Sequence, residues 1–319
     1  MCAAELVQTV RRKSGLTMDG KKLSIKQVDA FTETPLTGNP AGVVMNAAGL
    51  TDEQMQMIAR EMSLSETAFV LPASTSGADM RIRWFTPQVE VPLCGHATIA
   101  SFHALAEDGL YRMKNLGTYD FNVDTQSGVL PVRVEKGLHG TDVLFGLPVP
   151  EFVRAGQYKL DLMRILNVAV EDFENRMPIV VAENLYVPIR RLHTIFSMKP
   201  NFFAMSQFLA NRKLGGLCVF TVETVDKKSS VHSRFFAPTA GINEDPVTGS
   251  ANGPLGVYLF ENGAVEPEGD TVRIIGEQGD VIGRKGRVII LLKVHDKKVS
   301  SVKIGGRAVT ILDGEMVVA

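Results

Sequence analysis

The order of apolar and polar positions predicts a chain built mainly of strands. Runs that alternate between apolar and polar residues, or that are apolar throughout between turn signals, are typical of strands. Such runs occupy residues 23–29, 43–45, 67–71, 80–85, 120–123, 128–135, 142–148, 184–188, 216–222, 272–275 and 286–294. Short strands are also predicted within residues 299–315, and a loop rich in proline and glycine is predicted at residues 32–42.

Helical periodicity is confined to fewer segments. Thr51 begins one predicted helix, since Gln54 occupies the capping-box position and apolar residues recur on one face from Met55 onwards. Two further helices are predicted at residues 160–166 and within residues 199–214. Residues 1–21 are polar and weakly patterned, so we expect a loosely tied extension there.

One motif occurs twice in the chain. The pattern Glu-x-Pro-x-x-Gly-(His/Ser)-Ala stands at residues 90–97 and again at residues 244–251, which is 154 residues later. Upstream of each copy lies Arg-aromatic-Phe-x-Pro, at residues 83–87 and 234–238. Downstream, the same spacing leads to Glu-Asp-Gly in the first copy and to Glu-Asn-Gly in the second. These agreements indicate an internal duplication.

Each copy also predicts a buried helix that begins at a glycine. The residues that follow Gly95 are apolar on nearly every side, which is typical of a buried helix, and the duplication predicts the same after Gly249. The first backbone N–H groups of a helix lack intrahelical partners and carry partial positive charge, so they attract carboxylates. We therefore expect the two helix starts to face one cleft that grips a small acidic molecule.

The duplication defines the expected fold. We predict an α+β protein of two pseudosymmetric domains, each with strands wrapped around a central buried helix. The expected division is an extension at residues 1–21, an N-terminal half at 22–136 and a C-terminal half at 137–304. Return of the terminal strand, residues 305–319, to the N-terminal half is an open option.

Composition narrows the classes of partner. With 319 residues, 45% hydrophobic content and a formal net charge of −1, the chain has no basic surplus for nucleic acid or an anionic membrane. No apolar run approaches the ~20 residues of a membrane-spanning helix, and Arg11 and Arg12 interrupt any signal-peptide core. Cys2, Cys94 and Cys218 are scattered, which indicates no disulfide framework. We therefore expect a cytoplasmic protein without nucleic-acid or membrane partners.

Several motifs together resemble a known family. They are Asp-Ala-Phe at 29–31, Thr-Gly-Asn-Pro-Ala at 37–41, Leu-Ser-Glu-Thr-Ala-Phe at 64–69, Phe-Thr-Pro at 85–87, Cys-Gly-His-Ala at 94–97, Phe-Ala-Pro at 236–238 and Glu-Asp-Pro-Val-Thr-Gly-Ser-Ala-Asn at 244–252. This set resembles the PhzF-like isomerases of phenazine biosynthesis, which share the diaminopimelate epimerase fold, over residues 23–316. The resemblance implies a cofactor-independent isomerase that works by proton transfer and forms a homodimer.

The resemblance also implies site residues. Glu66 matches the family's general acid/base, and His96, Asp245 and Ser250 match its other site residues. A carboxyl group in a mostly apolar cleft would have its pKa raised towards the working range of a proton shuttle. The positive end of a helix would keep the His96 ring neutral. Structural roles stay open for each: a solvated or capping carboxylate at 66, a cap contact at 96, a turn contact at 245 and a helix cap at 250.

Gly95, Gly249, Asn39 and Cys94 complete the candidate substrate contacts. The two glycines permit close backbone approach, and Asn39 lies in a Gly-Asn-Pro loop that we expect to line the cleft. A helix start lowers the pKa of a thiol, which would make Cys94 reactive. Related amino-acid epimerases place a thiol at each of two helix starts, but here the duplication sets Thr248 opposite Cys94.

Three functions follow from these observations. The leading hypothesis is a PhzF-like isomerase that moves a proton within a small carboxylate-bearing substrate through Glu66. The alternatives are an amino-acid racemase or epimerase that uses Cys94, and a non-catalytic binding or interaction protein on the same fold. We expect no metal or organic cofactor, because no His/Cys spacing is typical of a metal set and the helix starts lack Gly-x-Gly-x-x-Gly.

Overall fold

The computed structural model describes residues 21–318, so the predicted extension at 1–21 lies outside the described residues except for Lys21. The strands of the first part are β1 (Lys21–Ala30), β2 (Asn39–Val44), β3 (Glu66–Leu71), β4 (Met80–Phe85), β5 (Glu90–Val91), β6 (Gly117–Thr125), β7 (Gly128–Gly137) and β8 (Gly140–Leu147). Those of the second part are β9 (Val153–Arg154), β10 (Val180–Val181), β11 (Leu185–Pro188), β12 (Leu217–Thr221), β13 (Val231–Ala237), β14 (Ile242–Asp245), β15 (Thr271–Gln278), β16 (Gly286–His295), β17 (Lys298–Gly306) and β18 (Ala308–Val318).

Helices are fewer than strands in the same residues. The α-helices are α1 (Asp52–Met62), α2 (Gly95–Glu107), α3 (Lys159–Leu166), α4 (Leu192–Ser197), α5 (Phe202–Arg212) and α6 (Gly249–Glu261). Short 3-10 helices occupy Gly156–Tyr158, Val170–Asp172, Pro238–Ala240 and Asp280–Ile282. Within residues 21–318, no helix combines the length and the apolar character that crossing a membrane requires.

The predicted start of α1 is confirmed in detail. The Thr51 side chain accepts a hydrogen bond from the backbone N–H of Gln54, and the Gln54 side chain accepts one from the backbone N–H of Thr51. This reciprocal pair satisfies backbone donors that the helix itself leaves unpaired. The helix buries Met55, Ile58 and Ala59 against the sheet, as its periodicity predicts.

Two segments differ from the sequence predictions. The loop predicted at residues 32–42 is shorter, because the chain enters β2 at Asn39 and pairs there with β1. The short strands predicted within residues 299–315 are two long strands, β17 and β18. Their length reflects their partners, since β17 pairs along β16 and β18 pairs along nearly all of β1.

One continuous sheet connects the strands, and its neighbour relations repeat. From β18 the path runs through β1, β2, β3, β4, β6, β7 and β8, crosses to β17, and continues through β16, β15, β13, β12, β11 and β10 to β9. The parallel pairs β2–β3 and β4–β6 of the first part correspond to β11–β12 and β13–β15 of the second. The predicted α+β fold with two pseudosymmetric domains is therefore confirmed.

A buried helix lies inside each set of strands. The α2 helix packs against β1, β2, β8 and β18, and α6 packs against β15, β16 and β17. Both helices contribute apolar side chains to the main core, as expected for segments that are apolar on nearly every side. The antiparallel pair β8–β17 joins the two sets of strands. The domain boundaries at residues 136/137 and 304/305 stay predictions.

Candidate active site

Both buried helices begin in the same way, after a short strand and a proline-containing turn. Cys94 precedes α2 and Thr248 precedes α6, each with extended backbone and neither with a capping hydrogen bond from its side chain. The two helix starts adjoin each other, because a Cβ atom placed on Gly95 would lie 3.9 Å from the Cα atom of Gly249. The prediction that both starts face one cleft is confirmed.

A cavity of about 390 Å³ lies at these helix starts. Seven of the eight predicted site residues line it: Glu66, Cys94, Gly95, His96, Asp245, Gly249 and Ser250. They come from both copies of the duplicated motif and from β3. The arrangement therefore brings together residues that lie far apart in sequence.

Glu66 is the first residue of β3, and its position is fixed by parallel pairing with Ala41 of β2. Its side chain is 14% exposed, and Oε2 lies 3.2 Å from Nε2 of His96. No group among the described residues donates a well-aligned hydrogen bond to this oxygen. Burial raises the pKa of Glu66, and hydrogen bonds with Ser65 and Cys94 oppose part of the rise. The direction agrees with the expectation for a proton shuttle.

His96 lies between Glu66 and Cys94. Its Nδ1 atom is 3.5 Å from Sγ of Cys94, and its Nε2 atom is 3.4 Å from Oγ of Ser65. Burial lowers the pKa of His96, and the charge of Asp245 opposes the change in part. A neutral ring was expected at this helix start, and burial is the main reason for it.

The Cys94 thiol differs from the expectation. A helix start alone would lower its pKa, but burial raises the pKa well above its ordinary value, and the nearby charge of Glu66 adds to the rise. The thiolate is therefore disfavoured. Burial outweighs the helix start here because the sulfur has little access to water.

Asp245, at the end of β14, also lines the cavity. Burial raises the pKa of Asp245 to about 6, against the charge of His96 and hydrogen bonds from Thr248 and Asn39. The Thr248 hydroxyl donates to Asp245 Oδ2 and accepts from Nε2 of Gln278 at 3.0 Å. Gln278 Nε2 also donates to the Asp245 carbonyl at 2.9 Å. These contacts hold the start of α6 in place.

Asn39, which we expected to line the cleft, lies behind it. The side chain is fully buried, and its Nδ2 atom donates to Oδ1 of Asp245 and to the carbonyl of Val247, both at 2.9 Å. The residue comes from β2, on the other copy of the fold. It therefore connects the two halves and supports Asp245 from behind.

Replacing Asn39 by alanine should lower the free energy of unfolding by about 1–3 kcal/mol, because two buried acceptors lose their donor. Urea denaturation of both proteins measures the difference. The matched control is Asn175→Ala, which removes one exposed amide whose oxygen accepts from Lys159 and should change stability little. Equal losses in the two variants would contradict a supporting role for Asn39.

Sequence reasoning missed three residues here. Gln278 is 1% exposed and accepts hydrogen bonds from the Thr248 N–H and the Asn252 side chain through Oε1. The only sequence signal for it was the repeated Gln-x-x-Val at 126–129 and 278–281. In the sequence, Thr248 is marked only as the counterpart of Cys94. Glu183 lines the cavity from the loop before β11, and no motif pointed to it.

The structure brings together possible metal ligands that the sequence did not indicate. Spacing along the chain indicated no metal set, yet ligand atoms of Glu66, Cys94 and His96 lie within 4.8 Å of one another. Glu66 lies on β3, whereas Cys94 and His96 lie at the start of α2. Their proximity arises from the tertiary fold, so spacing could not reveal it.

A larger depression of about 680 Å³ lies elsewhere, along β15, β16 and β17. Two of the three arginines that line it are already paired: Arg287 with Asp280, and Arg307 with Glu33 and Asp142. None of the predicted site residues lines it. The smaller cavity is therefore the better candidate for an active site.

Comparison with known proteins identifies the family. The phenazine biosynthesis-like protein family, PhzC-PhzF, matches residues 28–314. An uncharacterised isomerase of Clostridium acetobutylicum is 38% identical over 303 residues, which cover 93% of this chain and 99% of the relative. The uncharacterised isomerase YddE of Escherichia coli is 35% identical over 302 residues, which cover 92% of this chain and 98% of YddE.

Solved structures give the same result. A phenazine biosynthesis protein of the PhzF family from Bacillus anthracis superposes with a TM-score of 0.82 at 33% identity, over 93% of this chain and 100% of that protein. A hydroxyproline epimerase from Agrobacterium vitis superposes with a TM-score of 0.58 at 14% identity, over 93% of this chain and 92% of that protein, and shares the fold.

The fold and these relatives define an isomerase with the epimerase-like arrangement of two halves. The chain belongs to the PhzC-PhzF family of phenazine biosynthesis-like proteins.

Proposed function

We propose that this protein moves a proton within a small carboxylate-bearing substrate, with Glu66 as the general acid/base. The proposal is supported mainly by the environment of the Glu66 carboxyl group. The group lies in the cavity at the helix starts, its pKa is raised by burial, and one oxygen has no well-aligned hydrogen-bond donor among the described residues. A carboxyl group in this state is suited to accept a proton from carbon and return it elsewhere.

The substrate carboxylate would bind to backbone N–H groups at the starts of α2 and α6. Neither helix has a capping bond from its first flanking side chain, and helix N-termini attract anions. Among the described residues that line the cavity there is no lysine or arginine. Gly95 and Gly249 would allow close approach to the backbone, and Ser250 offers an exposed hydroxyl beside them.

His96 and Asp245 would assist the proton transfer and polarise the substrate. His96 is kept neutral by burial, so the ring can both donate and accept a hydrogen bond. Asp245, with its pKa raised to about 6 by burial, would exchange a proton near neutral pH. The proposal therefore assigns proton abstraction to Glu66 and supporting steps to the other two.

A two-thiol epimerase mechanism has less support. The position opposite Cys94 is Thr248, whose hydroxyl already donates to Asp245 and accepts from Gln278. Burial also disfavours the Cys94 thiolate, since it raises the pKa of that thiol. A mechanism with two bases needs a second group free to take or return a proton, and Thr248 does not provide one.

Incubation with candidate dihydroaromatic acids and amino acids in deuterated water tests the proposal. A true substrate should give a product of unchanged composition, with deuterium at carbon where the proton exchanged. Mass spectrometry detects the label, and NMR locates it. Conversion to an oxidised or hydrolysed product would contradict an isomerase, and label only at the α-carbon of an amino acid with loss of chirality would favour the racemase.

The proposal includes activity without a metal or organic cofactor, in a cytoplasmic homodimer. Family resemblance supports the dimer and the lack of a cofactor. Stoichiometric zinc in active protein, with activity lost on chelation, would contradict this part.

A further inference from the structure

Three side chains in the cavity have the types and spacing of zinc ligands. Sγ of Cys94 lies 3.5 Å from Nδ1 and 4.0 Å from Nε2 of His96, and Nε2 lies 3.2 Å from Oε2 of Glu66. In tetrahedral sites Zn²⁺ is held at about 2.3 Å by sulfur and about 2.0–2.2 Å by nitrogen or oxygen, which separates neighbouring ligand atoms by about 3.3–3.7 Å. The three ligand atoms lie within 4.8 Å of one another, so side-chain rotations must bring the more distant ones closer to surround an ion.

The backbone already holds these ligands in place. Cys94 and His96 flank the first residue of α2, and Glu66 is fixed by the pairing of β3 with β2. All three side chains are largely buried. A preformed set of ligands loses little conformational freedom on binding, which favours affinity.

The carboxyl groups of the cavity also favour a cation. The cavity is lined by the carboxyl groups of Glu66, Asp245 and Glu183 and, within the described residues, by no lysine or arginine. Each of the two helix starts supplies only about half a positive charge. The Oε2 atom of Glu66 has no well-aligned hydrogen-bond donor among the described residues, although Nε2 of His96 lies 3.2 Å away, so a metal ion would give it a partner. The cavity leaves room for a fourth ligand such as water.

We propose that Glu66, Cys94 and His96 form a reversible Zn²⁺ site that blocks the active site. Binding replaces the thiol proton of Cys94 by zinc and releases that proton to solvent. The mixture of thiolate, imidazole and carboxylate selects zinc over magnesium or calcium. Zinc binding stands on geometry alone. The inhibition rests on the proposed function, since the ion would bind the Glu66 carboxylate and the His96 imidazole that take part in the proton transfer.

Calorimetric titration of the full-length, reduced, chelator-treated protein with zinc chloride tests this site. We expect saturation at one ion per chain. Loss of an outer-shell partner already weakens metal binding by roughly 10–100-fold, so Cys94→Ser and Glu66→Gln should each weaken it by at least about 100-fold. Magnesium chloride should give no binding. Melting temperatures without zinc establish that each variant is folded, and the zinc-induced rise in melting temperature gives a second measure.

Matched variants exclude binding elsewhere. Cys2→Ser removes a thiol outside the described residues, and His295→Gln removes an exposed imidazole; both should bind zinc as the natural sequence does. Weaker binding in both site variants with unchanged controls supports the site, and any other pattern overturns it. Because the titration needs no substrate, failure of the zinc site and failure of the isomerase proposal are separate outcomes.

Discussion

Replacing Glu66 by glutamine should lower turnover by about 10²–10⁴-fold, the usual contribution of general acid–base catalysis. The amide keeps the size of the side chain but cannot take a proton. Folding should change little for two reasons. Burial disfavours the charged form of the carboxyl group and so raises its pKa, and the group has no ion pair with lysine or arginine among the described residues. Steady-state rates on a substrate verified by deuterium uptake measure the effect, and melting temperatures check the fold.

Cys94→Ala is the comparison that separates the two chemistries. Its activity should stay within about tenfold of the natural enzyme, a change of ~1.4 kcal/mol in the barrier. The Cys94 thiol is buried, and Thr248, its counterpart in the duplication, already donates a hydrogen bond to Asp245. The thiol therefore has no partner for a two-base mechanism. A thiol mechanism requires the reverse pattern, with Cys94→Ala inactive and Glu66→Gln mildly affected. Near-normal turnover of Glu66→Gln would remove the role assigned to that residue.

Replacing Gly305 by alanine should lower the free energy of unfolding by about 3 kcal/mol, the upper part of the usual range for overpacking. Gly305 pairs with Leu144 where β17 meets β8. A Cβ atom there would lie 2.1 Å from the carbonyl oxygen of Val143 and 3.0 Å from the Cα atom of Leu144. These two obstacles are backbone atoms, and Cδ2 of Leu144 lies at 2.7 Å as a third, so the two strands must separate to make room.

The same change should disturb the cavity, because the neighbouring side chains of this strand pair support the helix starts. A Cβ atom on Gly95 would lie 3.2 Å from Phe145, and one on Gly249 would lie 2.5 Å from Ile304. The matched control is Gly314→Ala in β18, where the nearest atom to an added Cβ is the Leu312 side chain at 3.9 Å. Urea denaturation compares the two variants. Equal stability would show that the β8–β17 junction tolerates expansion.

The sequence predicted individual helices and strands well where interactions between neighbouring residues determine them. The capping box at Thr51 fixes the start of α1, and the bounds of β4 were predicted residue for residue at 80–85. The long strands β17 and β18 were predicted as short ones. Their length depends on pairing with β16 and β1, and β1 lies at the other end of the chain. Strand pairing between such distant segments cannot be predicted from the residues next to each strand.

Only part of the candidate site was predicted, because the rest also depends on contacts between distant parts of the chain. The duplicated motif placed Gly95, His96, Gly249 and Ser250 at two helix starts, and the cavity contains them all. The family resemblance, rather than the pattern around it, singled out Glu66. Gln278 carried only a weak repeat signal, because a buried side chain that holds a loop through hydrogen bonds resembles any other polar residue in sequence.

The sequence by itself determined that two similar halves each bury a helix and that both helix starts offer unpaired N–H groups. A repeated motif and continuous apolar character are local properties, so they can be read without coordinates. Only the tertiary structure decided that the Cys94 thiol stays protonated, that Asn39 supports Asp245 across 206 residues of chain, and that Glu66 meets His96. Burial and hydrogen bonding depend on groups brought together by folding, and these set protonation and contact in the cavity.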